Sequence, residues 1–306
     1  MEHTRVEKMA PETSSAIANE QIAIVIPAKN EAEPLAQLLV ELRRLLTGSE
    51  IVVVNDGSTD QTLEVAKEHA DVVVNHPISL GNGAAVKAGA RAASREILVF
   101  MDGDGQHKAT DVLRLVEALT DGSYMVVGAR DKSSHANIFR KVANGLYNHL
   151  ASYMTGQRIE DLTSGFRAVK KKYFDMFVNL LPNGFSYPTT ITMAFFRSGF
   201  PVTYVPIHAE MRTGKSHVKP LRDGSKFLLI IFRIGSLYSP LKIFVPVSLV
   251  MFLIASAYYG YTYVTTSRFT NMSALFYMTS VLTFFIGLVS EQVTQLLYLS
   301  NTLKKD

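Results

Sequence analysis

Between Gln21 and Val127, short apolar runs alternate with stretches whose apolar residues recur every three or four positions. The runs Ile22–Ile26, Ile51–Val54, Val72–Val74, Ile97–Met101 and Met125–Val127 have the length and β-branched content of buried strands. After the first of them, Leu35, Leu38, Leu39, Leu42, Leu45 and Leu46 mark one helical face that opens near Pro34 and stops at Gly48. Further helices are expected from Thr59 or Asp60, over Gly83–Ala93, and after Thr110, where Val112, Leu113, Leu115, Val116 and Leu119 are apolar. Strands that alternate with helices predict the α/β class with a mostly parallel sheet. Val142, Leu146, Leu150 and Met154 then predict a helix over Ile138–Met154, and beyond Gly165 short strands and a helix run to about Glu210.

The pattern changes after about residue 227. Ile243–Val264 and Met272–Val289 are nearly uninterrupted apolar runs, each about long enough to cross a bilayer core of roughly 30 Å. The seven residues between them allow only a tight turn, so the pair is expected to form a transmembrane hairpin. Arg222, Lys226, Arg233 and Lys242 precede the first run and Lys304 and Lys305 follow the second, whereas the turn carries only Arg268. The positive-inside rule then predicts the preceding domain and both termini in the cytoplasm, at the cytoplasmic (inner) membrane. Ahead of the hairpin, Arg222, Lys226 and Arg233 share a helix side, with Phe227, Leu228, Ile230, Ile231 and Ile234 over much of the rest. That arrangement predicts a helix lying in the membrane interface. Small residues in the hairpin, Gly260, Ser273 and Gly287, would allow copies of it to pack into a homo-oligomer.

Composition narrows the function classes. No cysteine occurs, which excludes thiol catalysis, disulfides and zinc–thiolate sites. A net charge of +4 without a basic run interleaved with aromatics argues against a nucleic-acid partner and fits a membrane surface and phosphate-bearing substrates. Residues 1–20 are polar, lack the apolar core of a signal peptide, and read as a disordered tail.

Parallel strands deliver functional residues at their C-terminal ends, and three runs end in polar clusters. These are Pro27-Ala28-Lys29-Asn30-Glu31, Asn55-Asp56-Gly57-Ser58-Thr59-Asp60 and Asp102-Gly103-Asp104-Gly105-Gln106-His107. Any one of them could be a turn, but carboxylates gathered on one sheet edge repel unless they share a cation or a donor-rich ligand. Asp102 and Asp104, two apart on an extended segment, share a face and offer the hard oxygen donors that suit Mg²⁺ or Mn²⁺. An EF-hand is ruled out because Gln106 and His107 stand where the loop needs Asp or Asn and Gly. Gly81-Asn82-Gly83 runs on to Val86 where a dinucleotide fingerprint needs Gly, and Gly214-Lys215-Ser216 lacks the first glycine of a phosphate loop, having Ala209 there.

In their order, IVIPAKNEAE, VVVNDGSTD, GNGAAVKAGARAA, VFMDGDGQH, EDLTSGFRAVKK and RTGKS resemble family 2 glycosyltransferases of the GT-A fold. The resemblance covers about residues 21–220 and is greatest to dolichol-phosphate mannose synthases and bacterial polyprenyl-phosphate glycosyltransferases. It implies a Rossmann-like, mostly parallel sheet flanked by helices over 21–215, a basic loop and interfacial helix over 216–240, two transmembrane helices over 241–300 and a short tail over 301–306. The implied activity is inverting, metal-dependent transfer of a hexose from a nucleotide diphosphate sugar to polyprenyl phosphate. UDP-glucose is the favoured donor and GDP-mannose the alternative. A processive polysaccharide synthase would resemble a pattern with a Gln-x-x-Arg-Trp segment, and the chain has no tryptophan. A sugar-nucleotide sensor would need no acceptor site.

The resemblance also implies residue roles. Pro27, Ala28, Glu31 and Asp56 would hold the nucleoside, with Gly81, Asn82 and Lys87 closing over the donor. Asp102, Asp104 and Gln106 would hold Mg²⁺ or Mn²⁺. Arg130 and Arg140 would meet the acceptor phosphate, and Asp161, Ser164, Gly165, Phe166 and Arg167 would lie near the sugar and that phosphate. Arg212, Lys215 and Ser216 would clamp phosphate beside the membrane; His217 replaces the Lys that often follows, leaving Lys215 or Lys219 to compensate. Asp161 would orient a sugar hydroxyl or act as a base.

Overall fold

The computed structural model describes residues 18–119, 122–130, 138–184, 186–208, 232, 235–236 and 239–303, with side chains of 138–144 and 297–303 outside the description. Most of the expected N-terminal tail, the basic loop with Arg212, Lys215 and Ser216, and most of the expected interfacial helix lie outside those residues. The helices are α1 (Ala32–Leu45), α2 (Thr62–His69), α3 (Asn82–Ala92), α4 (Ala109–Glu117), α5 (Ile138–Thr155), α6 (Lys171–Asp175), α7 (Tyr187–Arg197), α8 (Leu241–Thr266) and α9 (Asn271–Leu303). The chain divides into two compact units: Met1–Ser134, Ser164–Asn179 and Phe200–Thr213 in one, and His135–Thr163, Leu180–Gly199 and Gly214–Asp306 in the other.

The first unit is built on a seven-stranded sheet. Its strands are β1 (Ile22–Ala28), β2 (Glu50–Asp56), β3 (Val72–His76), β4 (Ile97–Phe100), β5 (Met125–Arg130), β6 (Arg167–Lys170) and β7 (Val202–Ile207). They run in the order β3-β2-β1-β4-β6-β5-β7. Every pairing is parallel except those of β6, which runs antiparallel to both β4 and β5. All five expected strands form. β1 is buried at every position, which is why its sequence is a continuous apolar run and not an alternation. Leu35, Leu38, Leu39 and Leu42 bury the predicted face of α1 in the core, each contributing about 1.5–3 kcal/mol. Gly48 stops the chain beyond α1 in the left-handed region, at φ +92°.

α3 follows a different rule. Its buried side is Gly83, Ala85, Val86, Gly89 and Ala90, small residues that let the helix backbone lie close to the sheet. A Cβ on Gly89 would overlap Val25 Cγ1 on β1 and stand 3.0 Å from Val54 Cγ2 on β2.

The second unit contains α5, the loop that follows it, α7 and the two apolar helices. α7 is buried from Tyr187 through Phe195. α8 and α9 are each long and apolar enough to cross a membrane, and only 11% and 17% of their most apolar windows are buried. A core helix of a soluble protein would hide those side chains, whereas here Leu249, Phe252, Leu253, Leu282 and Phe285 are exposed. The polar residues of the pair face each other. Ser248 Oγ donates to the Ser280 carbonyl at 3.0 Å and Ser280 Oγ donates to the Ser248 carbonyl at 2.9 Å. Lower on the same seam, Ser256 Oγ and the Tyr277 hydroxyl are 3.0 Å apart.

Gly89→Ala is expected to destabilise the protein despite a helix-propensity gain of about 1 kcal/mol, because overpacking costs about 1–3 kcal/mol. Thermal unfolding in detergent should show a lowered midpoint, partly restored when Val25→Ala removes the overlapping methyls.

Candidate active site

The loops after β1 and β2 are tied together before any ligand is considered. Asn30, at φ +55°, donates its N–H to Ser58 Oγ at 3.0 Å and accepts the Thr59 N–H on Oδ1 at 2.8 Å. Glu31 N–H donates to Thr62 Oγ1 at 2.9 Å, and Asp60 accepts from Ala32 N–H at 3.3 Å and Thr62 N–H at 3.1 Å. Asp60 thus sits at the starts of α1 and α2, where unpaired helix N–H groups favour an anion. Burial opposes its charge, but the Thr62 hydroxyl and the amides of Thr62 and Ala32 hold its carboxyl below the ordinary range.

Asp56, the last residue of β2, is a heavily engaged carboxylate. Oδ1 accepts from Leu80 N–H and pairs with His76 Nδ1, both at 2.8 Å; Oδ2 accepts from Ser79 Oγ at 2.7 Å and Gly81 N–H at 3.0 Å. Its side chain is only 6% exposed. Burial alone would raise its pKa, but the bonds from His76, Ser79, Leu80 and Gly81 outweigh it and hold the group at about 2. The carboxylate thereby pins the chain between β3 and α3. Gly57 at φ +66° lets this chain close over β2, since a Cβ there would lie 2.5 Å from the Ser79 amide nitrogen. Gly81 at φ +100° then starts α3 with Asn82 in its first turn. Further along α3, burial pushes the Lys87 ammonium down, and the nearby Arg91 charge adds to the effect.

Asp102 and Asp104 lie on the turn after β4, at the same sheet edge. Asp104 Oδ1 accepts the Gln106 N–H at 3.2 Å, shaping that turn. A Cβ on Gly103 would stand 3.1 Å from Glu31 Oε2 and 3.4 Å from the Ala28 Cβ, so the end of β1 closes directly onto the turn. Pro27, Ala28, Glu31, Asp102 and Asp104 are therefore brought together. Among the described residues no group of three or more His, Asp or Glu has the mutual geometry of a closed metal cage. The half-buried carboxylates of Asp102 and Asp104 do suit a divalent ion that takes its remaining ligands from a diphosphate and water, as Mg²⁺ characteristically does.

Ser164, Gly165, Phe166 and Arg167 lead into β6 in the same unit. The Phe166 ring stacks on His107, centroids 4.7 Å apart, which fastens this segment to the turn bearing Asp102 and Asp104. Gly128 admits the packing, because a Cβ there would stand 3.0 Å from Phe166 Cδ1. Arg167 is wholly buried and its guanidinium turns back to the Ser164 carbonyl. Arg130 ends β5, half-buried. Asp161 belongs to the second unit, buried, with Oδ1 accepting the Thr163 N–H at 3.1 Å. Arg140 lies on α5 with its side chain outside the described residues, and Arg212, Lys215 and Ser216 lie outside them altogether.

Sequence reasoning missed His76, Ser79 and the pairing of His107 with Phe166. The first had a signal: His76 follows the apolar run Val72–Val74, at the C-terminal end of β3 where parallel strands deliver polar residues.

A model of glycosyl transferase family 2 matches residues 23–177, and a model described as the GtrB C-terminal hairpin matches residues 239–296. Glycosyltransferase AglJ of Haloferax volcanii is 30% identical over 73% of this chain and 75% of its own length. The undecaprenyl-phosphate 4-deoxy-4-formamido-L-arabinose transferase of Proteus mirabilis is 29% identical over 55% of this chain and 57% of its own, so the match spans little more than half of that relative. A dolichyl-phosphate hexose transferase of Haloferax volcanii is 27% identical over 67% and 90%. Among solved structures, glucosyl-3-phosphoglycerate synthase of Mycobacterium tuberculosis superposes with a TM-score of 0.59 at 21% identity, over 70% of this chain and 79% of that one, a likeness of fold.

Because the Asp56 pKa is depressed on folding, its charge stabilises the native state fully above the ordinary carboxylate range. That contribution, about 2 kcal/mol, is lost as the pH falls from about 4 towards 2. The thermal midpoint of Asp56→Asn should lie below that of the wild type by a constant amount at neutral pH, and the gap should close in acid.

Proposed function

The chain belongs to glycosyl transferase family 2, and on that premise we propose that it transfers a hexose from a nucleotide diphosphate sugar to the phosphate of a polyprenyl lipid. The observation that carries this reading is the joining, in one chain, of a sheet edge bearing Asp56, Asp102 and Asp104 with a hairpin whose apolar side chains are exposed. A polyprenyl chain leaves the bilayer only at a large hydrophobic cost, so an enzyme acting on its phosphate gains from being anchored at the surface. Relatives named for undecaprenyl-phosphate and dolichyl-phosphate substrates support the same acceptor class.

The domain plan in this reading is a catalytic domain over 21–215, an interfacial segment over 216–240 and a transmembrane hairpin over 241–300. Arg222, Lys226, Arg233 and Lys242 before the hairpin and Lys304 and Lys305 after it support placing the catalytic domain on the cytoplasmic face of the membrane. For the donor, the Mycobacterium tuberculosis structure that shares the fold was solved with Mn²⁺ and UDP-glucose, which favours a UDP-hexose.

Asp102 and Asp104, with Gln106 beside them, would hold Mg²⁺ or Mn²⁺; when bound, such an ion neutralises the diphosphate as charge grows on it. Asp56 serves the nucleoside indirectly, because three of its hydrogen bonds go to the loop that carries Ser79, Leu80 and Gly81 into α3 and the fourth to His76 at the end of β3. Lys87 on α3 offers the donor phosphates a cation. A lipid phosphate has its second pKa near about 6 and is mostly dianionic at neutral pH, so it attacks the anomeric carbon without a strong base. One bond forms from a phosphate oxygen to that carbon as the bond to the departing nucleoside diphosphate breaks on the opposite face, inverting the configuration. Arg130, Arg140 and the basic loop of Arg212, Lys215 and Ser216 balance the acceptor's charge. Arg167, being buried, acts by holding the segment of Ser164, Gly165 and Phe166 in place. Asp161 orients a sugar hydroxyl.

The test is transfer from radiolabelled UDP- and GDP-sugars to polyprenyl phosphate in detergent. One donor should label the lipid, EDTA should abolish the product, and Asp104→Ala should lower kcat about 10²–10³-fold, the loss typical of removing one charge-stabilising group. A folded enzyme that labels no lipid from any donor would overturn the reading.

A further inference from the structure

Lys242 stands in the first turn of α8, where the helix dipole disfavours a cation. Its ammonium does not serve that helix. It donates to the carbonyls of Tyr153 and Met154 in the last turn of α5, each at 3.0 Å, where a cation is favoured. Ser239 Oγ adds a third hydrogen bond, to the Met154 carbonyl at 3.3 Å. The start of α8 takes its negative partner from elsewhere, with Glu291 Oε2 of α9 accepting the Leu241 N–H at 3.4 Å. The link also runs the other way. Pro246 has no N–H to give the carbonyl of Lys242 four residues earlier, and the Tyr153 hydroxyl approaches that carbonyl at 3.5 Å.

The same end of α5 fixes the loop that carries Asp161. Gly156, at φ +74°, turns the chain out of the helix. Ser152 Oγ then accepts the Ile159 N–H at 2.9 Å. Asn148 grips both neighbours of Asp161: its Nδ2 donates to the Glu160 carbonyl at 2.6 Å and its Oδ1 accepts the Leu162 N–H at 3.1 Å. A continuous chain of polar contacts therefore runs from the first turn of the hairpin, through the C-terminus of α5, to the backbone on either side of Asp161.

We infer that Lys242 and Asn148 are positioning residues that set Asp161 at a fixed height from the membrane hairpin, so that anchoring and alignment of the reacting groups are one event. The inference rests on the transferase reading for its chemical consequence, while the coupling itself is a property of the second unit alone. It explains why a lysine occupies a helix start, and why α5 ends on two carbonyls that its own sequence leaves uncapped.

The experiment compares wild type, Lys242→Met, Lys242→Arg and Asn148→Ala in lipid nanodiscs by hydrogen exchange, transfer kinetics and UDP binding. Lys242→Met and Asn148→Ala should speed exchange at the Ile159 and Leu162 amides by about tenfold, as expected for loss of a hydrogen bond to a charged or buried group. kcat for lipid labelling should fall about tenfold to a hundredfold from the displaced Asp161. UDP affinity should stay within about twofold, because the nucleotide-side residues Asp56 and Lys87 belong to the first unit and share no partner with Lys242 or Asn148 in the contacts described above. Lys242→Arg, which keeps a donor for the two carbonyls, should restore both exchange and kcat. Unchanged exchange over 157–163 in Lys242→Met would overturn the coupling, and faster exchange with unaltered kcat would overturn the positioning role. A loss of UDP affinity as large as the loss of kcat would reduce the effect to general unfolding and overturn it too. If the wild type labels no lipid, the transferase reading falls, and the exchange data still decide the coupling.

Discussion

Strands of a parallel sheet release their chain ends, with backbone groups still to be satisfied, at one edge. In the first unit those ends are bonded to one another. Asn30 with Ser58 and Thr59, Glu31 with Thr62, and Asp60 with Ala32 join the first two loops. Asp56 carries the joining on to the entry of α3 with four bonds of its own. A buried carboxylate so fully supplied with donors is stable as an anion, and it holds its donors in place in return. Beside that edge Asp102 and Asp104 are half-buried, on a turn that the end of β1 closes onto.

β6 plays the corresponding part on the other side of β4. It is the only described strand of the sheet that runs against its neighbours, and its reversed direction brings the residues just before it, Ser164 to Phe166, to the edge where β4 ends. The stacked rings of His107 and Phe166 hold the two loops together, and the buried Arg167 takes up the carbonyl of Ser164. A wholly buried guanidinium is costly unless bonded, so its presence marks the local backbone geometry as worth preserving.

The sequence made the architecture legible wherever apolar period and length agreed. The five strands, the leucine face of α1 and the two apolar helices are found where the pattern of residues puts them. The hairpin helices extend past the apolar runs because helical hydrogen bonding continues into polar residues, as α9 does beyond Val289 to Leu303. Less legible was anything decided by pairing between distant segments. Four residues of β6 carry no period long enough to reveal direction, and the partnership of Asp56 with His76 needs two strands side by side. Motif resemblance pointed to ligands for Asp56 and Arg167, and it gave no sign of the protein partners the fold supplies, His76, Ser79, Leu80 and Gly81 for the first and the Ser164 carbonyl for the second.

The reciprocal bonds of Ser248 and Ser280 have a consequence for how the hairpin is inherited. Each hydroxyl is satisfied by the opposite helix, so these two bonds set the register of α8 against α9 from within the pair. Such a hairpin is a cassette. A lineage can attach it to other catalytic sheets without re-evolving its helix packing, provided that each new host supplies an open helix end for Lys242.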